Sequence, residues 1–188
     1  MQINLVLFNG DDGSSGFGVR GLWVTDGTTA GTWEILAGAN ATQLSPGPFA
    51  LSPGPFVSLG SEVLFQASDA NNNNALWVTD GTSPGTSELS NFFSSIPLNV
   101  IALGSKALFQ GPDARLWVTD GTGAGTSELT VSGAASSGFS PSGITAFGGK
   151  VLFAGHDAAN HNNLWVTDGT AAGTSELTVT GAAPAGLR

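Results

Sequence analysis

The sequence predicts an all-β protein, and within that class a four-bladed β-propeller with four antiparallel strands in each blade. Three observations support the prediction. Each repeating unit carries an apolar, strand-like run that ends in Leu-Phe. The chain contains 28 Gly and 9 Pro among 188 residues, which disfavours long helices. A phrase of the form LWVTDGTxxGT occurs four times, which is typical of repeat architectures, and it begins at Leu22, Leu76, Leu116 and Leu164.

Each repeating unit is expected to hold four strands, which we term A to D in chain order. Strand A is short, as at 99–103 and 144–147, and a Gly-Ser or Gly-Gly turn joins it to strand B. Strand B ends in Leu-Phe, strand C is the LWVT segment, and a DGTxxGT connection leads to strand D. Antiparallel order places the B–C loop and the link from D to the next A at one end of a sheet. The A–B and C–D turns then lie at the other end.

The phase of the repeat predicts how the blades divide the chain, which we treat as a single domain spanning 1–188. A Pro stands twelve residues before the strand-B Phe in three units, and the same spacing runs from Pro184 through the joined termini to Phe8. One blade would then be completed by both termini, which closes a ring and hides strand edges, although a piece of a longer array would have the same phase. The predicted blades are 184–188 with 1–52, 53–96, 97–140 and 141–183.

Composition excludes several classes of function. The chain has 14 Asp and Glu against 5 Lys and Arg, a net charge of −9, which argues against nucleic acid or an anionic membrane surface as a partner. Without Cys there is no disulfide, thiol nucleophile or Cys-type zinc site. No apolar run approaches the roughly 18 residues of a membrane-spanning helix, so we expect no membrane insertion.

The sequence gives little basis for catalysis. The only two His residues, His156 and His161, lie in one polar loop of one unit. Glycosidases need two differentiated carboxylates across one cleft, whereas repeat-related acids occupy equivalent positions. We therefore expect a protein that is not an enzyme.

Twelve of the 14 acidic residues occupy repeated positions, and two of the three repeated sets flank the C–D connection. The Asp of each Asp-Gly-Thr group is expected to accept hydrogen bonds from the following backbone N–H groups while the Gly takes a positive φ. The alternative is that the Asp and Thr side chains present a repeated polar pocket to a sugar.

The third set of acids opens the B–C loops and is the preferred ligand-binding position. The Phe-to-Trp separations are 15, 12, 8 and 12 residues, so these loops vary while their first acid does not. Variable loops on a rigid scaffold often carry binding sites. Their carboxylate and amide groups suit sugar hydroxyls. They also suit Ca²⁺, although no loop has the DxDxDG spacing and no cofactor is expected. A structural Asx cap is the alternative. The candidate residues are Asp12, Asp69, Asp113, Asp157, Asn74 and Asn163.

The four Trp residues of strand C are also candidates for the ligand site. Their strands have two faces that neighbouring blades should cover, which favours a role in the core between blades, with stacking on a sugar as the alternative. These residues are Trp23, Trp77, Trp117 and Trp165. Trp33 differs because the other units have Ser at its position.

The repeated phrase resembles the bacterial ELWxxDGT-repeat family, and the resemblance covers all four units. Here the leading Glu is replaced by Gly21, Ala75, Arg115 and Asn163. The strand order is also similar to kelch repeats. The resemblance implies a propeller fold in a secreted or surface-associated bacterial protein, and hence an extracellular or cell-surface location.

These observations favour a non-enzymatic, multivalent binding module, most simply a lectin-like binder of carbohydrate or a cell-surface glycan. A structural or adhesive propeller that binds a protein partner or another copy of itself is the alternative, and a glycan-active enzyme is a third. A lectin needs the same groups in several units, whereas a protein-binding module can use one divergent unit. Fold alone does not decide between them.

Overall fold

The computed structural model describes residues 5–10, 21–37, 42–43, 56–68, 74–92, 98–111 and 113–178. These residues form four antiparallel four-stranded sheets, with no helix in the described ranges. The all-β prediction is therefore confirmed. No helix in this part of the chain is long and apolar enough to cross a membrane.

Each sheet is built from consecutive strands that lie side by side in chain order. The first sheet contains β1 (Val6–Gly10), β2 (Gly21–Thr25), β3 (Thr32–Ala37) and β4 (Thr42–Gln43). The second contains β5 (Val57–Leu59), β6 (Glu62–Ser68), β7 (Asn74–Thr79) and β8 (Ser87–Phe92). The third contains β9 (Leu98–Leu103), β10 (Lys106–Gln110), β11 (Leu116–Thr119) and β12 (Ser127–Glu128). The fourth contains β13 (Ser142–Phe147), β14 (Lys150–His156), β15 (Asn162–Thr167) and β16 (Ser175–Glu176).

The same cross-strand register recurs in all four sheets. The strand-B Phe lies opposite the strand-C Trp, and that Trp lies opposite the strand-D Glu, as in Phe109–Trp117–Glu128. The equivalent sets are Phe8–Trp23–Glu34, Phe65–Trp77–Glu88 and Phe153–Trp165–Glu176. One sequence phrase therefore produces one local geometry four times.

The predicted order A-B-C-D describes the second, third and fourth sheets. Two-residue turns connect strands A and B there, and Gly60 and Gly104 adopt φ of 63° and 62°, a conformation that glycine allows at little cost. In the first sheet, strands B, C and D are β1, β2 and β3, and β4 pairs with the far edge of β3. The strand A predicted for this sheet, 184–188, lies outside the described residues.

The chain divides into two compact units, Met1–Ile96 and Pro97–Arg188, with two sheets in each.

Within each unit, the two sheets pack through equivalent faces. In the first unit, Leu22 and Ile35 of the first sheet join Phe65 and Trp77 of the second in one buried cluster. In the second unit, the equivalent cluster combines Leu116, Leu129, Phe153 and Trp165. Burying each of these side chains stabilises the fold by roughly 1.5–3 kcal/mol. The alternation of LWVT thus places Leu and Trp on opposite faces of the strand.

Candidate functional site

The four C–D turns share one hydrogen-bond network, which the third turn illustrates. Asp120 Oδ1 accepts hydrogen bonds from the backbone N–H of Thr122 at 2.9 Å and from its hydroxyl at 2.7 Å. Thr122 Oγ1 in turn accepts the N–H of Gly125 at 2.9 Å. Gly121, between Asp120 and Thr122, has a φ of 91°. This is the Asp-Gly-Thr turn that the sequence predicts.

A hydrogen-bonded pair of Thr hydroxyls anchors each of these turns, buried in the second and fourth sheets and partly buried in the first and third. Thr167 and Thr174 share a hydrogen bond of 2.6 Å, and Thr167 Oγ1 also accepts the N–H of Gly169 at 3.0 Å. The same pairs form between Thr25 and Thr32, Thr79 and Thr86, and Thr119 and Thr126.

The Asp carboxylates of these turns are held as anions by their own turn. The hydroxyl of the Thr two residues later is the largest cause, followed by its backbone N–H, and together they lower the pKa of Asp26, Asp80, Asp120 and Asp168. Because one oxygen of each carboxylate already accepts two bonds, the geometry supports a structural role for this set.

The opposite end of the sheets in the second unit, which we call the B–C end, comprises residues 111, 113–115, 130–140 and 156–162. Two of the predicted ligand residues lie here. Asp113 Oδ1 accepts the backbone N–H of Arg115 at 3.1 Å and the indole N–H of Trp117 at 3.2 Å. Asp113 is exposed, and its second oxygen lies 3.6 Å from Arg115 Nε.

Asp157 organises the longer loop of the fourth sheet. Its Oδ1 accepts the backbone N–H groups of Ala159 and His161, both at 2.8 Å. Its Oδ2 accepts the amide N–H of Asn163 at 3.1 Å and lies 3.3 Å from His161 Nδ1. The backbone bond from His161 is the main cause that lowers the pKa of Asp157. Asp157 and Asn163 are thus brought together, with the carboxylate acting as the Asx-type cap that the sequence leaves open.

The link between the third and fourth sheets crosses the B–C end and bonds to both loops. Ser140 donates its backbone N–H to Ala114 at 2.6 Å, and His156 donates its own to Phe139 at 2.9 Å. Ala135 N–H donates to the carbonyl of His156 at 3.0 Å. The B–C end is therefore a bonded surface in which the link fixes both loops.

Residues with strained backbone conformations lie at the same B–C end. Among the described residues, four that are not glycine have positive φ, and Ala114, Ser140 and Asn160 lie in the two loops and the link. The fourth is Asn99. A positive φ is costly for Ala and Ser, and such residues cluster at functional sites when the surrounding structure holds them.

A pocket of about 160 Å³ opens between the edge of the third sheet and this link. Its floor is apolar and is formed by Leu116, Leu129, Val131, Ala134, Ala135 and Phe139. Its polar lining residues are Arg115, Glu128, Thr130 and Ser136. An apolar floor with a few convergent polar groups is the usual composition of a small-molecule site.

Arg115 joins the parts of this pocket. Its Nη1 donates to Glu128 Oε1 at 2.7 Å, and its Nη2 donates to the carbonyl of Ser136 at 3.2 Å. The hydrogen bond to Glu128 is the first cause of the raised pKa of Arg115. The guanidinium is thereby fixed over the apolar floor, although 39% of the side chain stays exposed.

The remaining predicted site residues are placed as follows. Asp12 and Asp69 lie outside the described residues, and Asn74 begins β7 opposite Ser68. Trp77 and Trp165 are 7% and 2% exposed and belong to the cores between sheets. The other two strand-C residues, Trp23 and Trp117, are half-buried.

Sequence reasoning proposed the B–C loops as the candidate site and did not predict the pocket. The only signal for Arg115 in the sequence is its charge, at a position where the other three repeats have Gly, Ala or Asn. Glu128 belongs to a repeated set and carried no separate signal, and the sequence alone does not show that 130–139 folds back over the sheet edge. Searches with the chain found no matching protein-family model and no significant match among curated proteins.

Proposed function

We propose that the four sheets form one closed four-bladed β-propeller in which 184–188 supplies strand A of the first blade. The support is the equivalent packing of sheet faces within each unit, together with the uninterrupted phase of the repeat. The resemblance to ELWxxDGT repeats and kelch repeats agrees with this architecture. The same resemblance supports an extracellular or cell-surface location.

The function that this geometry supports best is non-enzymatic, multivalent binding of carbohydrate through the B–C end. The observation that carries the proposal is the loop 157–162, which Asp157 holds with two backbone hydrogen bonds while Asn160 and Asn162 remain exposed. Planar amide groups on a preorganised loop suit sugar hydroxyls, because little side-chain or loop entropy is lost on binding. In this proposal Asp157 positions the loop, and the neighbouring amides contact the sugar.

Repetition of this arrangement would provide avidity. An Asp recurs at this sequence position in every repeat, as Asp12, Asp69, Asp113 and Asp157. Several weak sites on one rigid scaffold bind a glycan-covered surface far more tightly than one site does. Neither a cofactor nor Ca²⁺ is part of the proposal, and within the described ranges no cluster of three metal-ligating side chains occurs.

A second candidate function is a structural or adhesive module that binds protein. Two exposed aromatic side chains favour it, Trp33 at 38% and Phe147 at 69% exposure. Neither is repeated: Ser occupies the position of Trp33 in the other units, and Leu59 and Leu103 occupy that of Phe147. Exposed aromatic residues are common anchors of protein interfaces.

A glycan array with labelled protein, run with calcium and with a chelator, tests the proposal. The diagnostic variant is Asn160→Gly with Asn162→Ala, since Gly accepts the positive φ of Asn160. Ser127→Ala, at an exposed position in β12, is the matched control. We expect binding to one glycan class that is independent of calcium, reduced in the Asn variant and retained in the control.

Two results would contradict this expectation. Binding that survives in the Asn variant would move the site away from the loop 157–162. No glycan binding under either condition would remove the carbohydrate proposal and leave the protein-binding module, for which Trp33→Ser, the residue found in the other units, is the next variant.

A further inference from the structure

We propose that the pocket under Arg115 is a specificity subsite of the third sheet that takes a neutral monosaccharide carrying a methyl group. This inference rests on the proposed carbohydrate function and names the kind of sugar. The site is not repeated, because only the third sequence repeat has Arg at this position.

The size and floor of the pocket define the apolar part of the sugar. At about 160 Å³ the pocket is smaller than the roughly 300–1,000 Å³ of drug-sized ligand sites, so it fits part of one sugar ring and no longer oligosaccharide segment. Its floor includes the buried side chains of Leu116, Leu129 and Phe139. Such a floor favours a methyl group or an aliphatic ring face over a hydroxymethyl group, because a buried hydroxyl without a partner is costly.

The lining above this floor supplies hydrogen-bonding groups for the sugar hydroxyls. Arg115 has two N–H groups on each terminal nitrogen, and the bonds to Glu128 and Ser136 use one on each. The remaining two N–H groups can donate to adjacent sugar oxygens. Glu128 can accept from a hydroxyl, and its side chain is 32% exposed.

The charge of the pocket excludes acidic sugars. Asp113 and Glu128 both lie beside Arg115, so the immediate surroundings hold two carboxylates and one guanidinium. The whole chain adds a net charge of −9. A sugar carboxylate or sulfate would be repelled, since like charges at short range disfavour binding. The class that remains is the neutral 6-deoxyhexoses and N-acetylhexosamines.

The test is a titration of ¹⁵N-labelled full chain followed by amide chemical shifts. The probes are L-fucose, L-rhamnose and N-acetylglucosamine, with D-glucose, which has no methyl group, and the acidic N-acetylneuraminic acid for comparison. We expect at least one methyl-bearing sugar to shift amides of 129–136, and both comparison sugars to shift them much less. The first three probes separate a deoxy methyl from an acetyl methyl.

Two variants show whether Arg115 contacts the sugar. Arg115→Ala is expected to weaken the interaction about tenfold or more, because hydrogen bonds from a charged donor are lost. Arg115→Lys keeps the positive charge but lacks the planar guanidinium with its two donor nitrogens, and it should also weaken sugar binding. Lys150→Ala, at an exposed position of β14, removes the same charge outside the pocket and should leave the titration unchanged.

The outcomes separate this inference from the function on which it rests. If glycans bind on the array but the methyl-bearing sugars leave 129–136 unshifted, the subsite is overturned and the carbohydrate function stands. If neither assay detects a sugar, both are overturned. If N-acetyl-leucine amide shifts these amides and the sugars do not, the pocket receives an aliphatic peptide side chain, and the sugar inference is overturned in favour of protein binding.

Discussion

The two ends of the sheets in the second unit use the same residue types in different ways. At the C–D end, Asp120 and Asp168 make the same bonds to the Thr two residues later, at 2.9 Å from the backbone N–H in both turns. At the B–C end, Asp113 bonds an indole while Asp157 bonds an amide and lies beside an imidazole. The bonds at the C–D end are the same in both sheets and stay within each turn, whereas those at the B–C end differ between the two sheets.

This difference teaches that repetition in the sequence marks the groups that build the fold. A turn repeated four times with the same internal bonds has few groups left for a ligand. The B–C end, where the two sheets differ, contains three of the non-glycine residues with positive φ, the fixed guanidinium of Arg115 and the pocket. The choice of ligand is therefore expected to depend on the unrepeated side chains there.

The largest effect on stability is expected from crowding a C–D turn. A Cβ on Gly125 would overlap the carboxylate of Asp120, so Gly125→Ala expels that side chain and opens the whole turn. We expect a loss of about 3 kcal/mol in the free energy of unfolding, measured by urea denaturation. Gly123→Ala is the matched control in the same turn, because the fourth sequence repeat has Ala171 at the equivalent position. Equal losses in both variants would contradict the closed-turn account.

A smaller loss is expected from removing one hydroxyl beneath a turn. Thr167→Val keeps the shape of a fully buried side chain but leaves the N–H of Gly169 and the hydroxyl of Thr174 without this partner. An unsatisfied buried group costs about 2 kcal/mol. The urea midpoint should fall accordingly, while Thr178→Val, at an exposed position, should leave it nearly unchanged. An unchanged midpoint for Thr167→Val would show that the hydroxyl pair contributes no stability.

Acid should weaken the turns gradually. The pKa values of the four turn Asp residues and of Asp157 lie below the ordinary 3.8 in the folded chain, so the unfolded chain binds more protons near that pH. Their stabilisation is complete well above pH 3.8 and is lost as the pH falls through the folded-state values. Urea midpoints measured from pH 6 to pH 2 should therefore decline, and Asp120→Asn should decline less steeply. A parallel decline in that variant would assign the effect to other groups.

Much of the fold could be predicted from the sequence, because the repeat fixes local geometry through nearby residues. The Phe109–Trp117–Glu128 register and the positive φ of Gly121 both follow from short-range spacing and turn chemistry. The pocket could not be predicted in this way. It depends on 130–139 folding across the sheet edge and on Arg115 reaching Glu128, 13 residues away in sequence. Such contacts are set by tertiary packing and produce no periodic pattern in the sequence.

The most direct test of the central claim compares Arg115→Ala with Thr167→Val in two assays, urea unfolding and the titration with L-fucose, L-rhamnose and N-acetylglucosamine. Partly exposed ion pairs such as Arg115–Glu128 contribute little to stability, so Arg115→Ala should keep its urea midpoint and lose the sugar-induced shifts at 129–136. Thr167→Val should lower the midpoint and, where it remains folded, keep those shifts. If Arg115→Ala lowers the midpoint as much as Thr167→Val and the sugar response is retained, then Arg115 builds the fold, and the separation of the two ends is wrong.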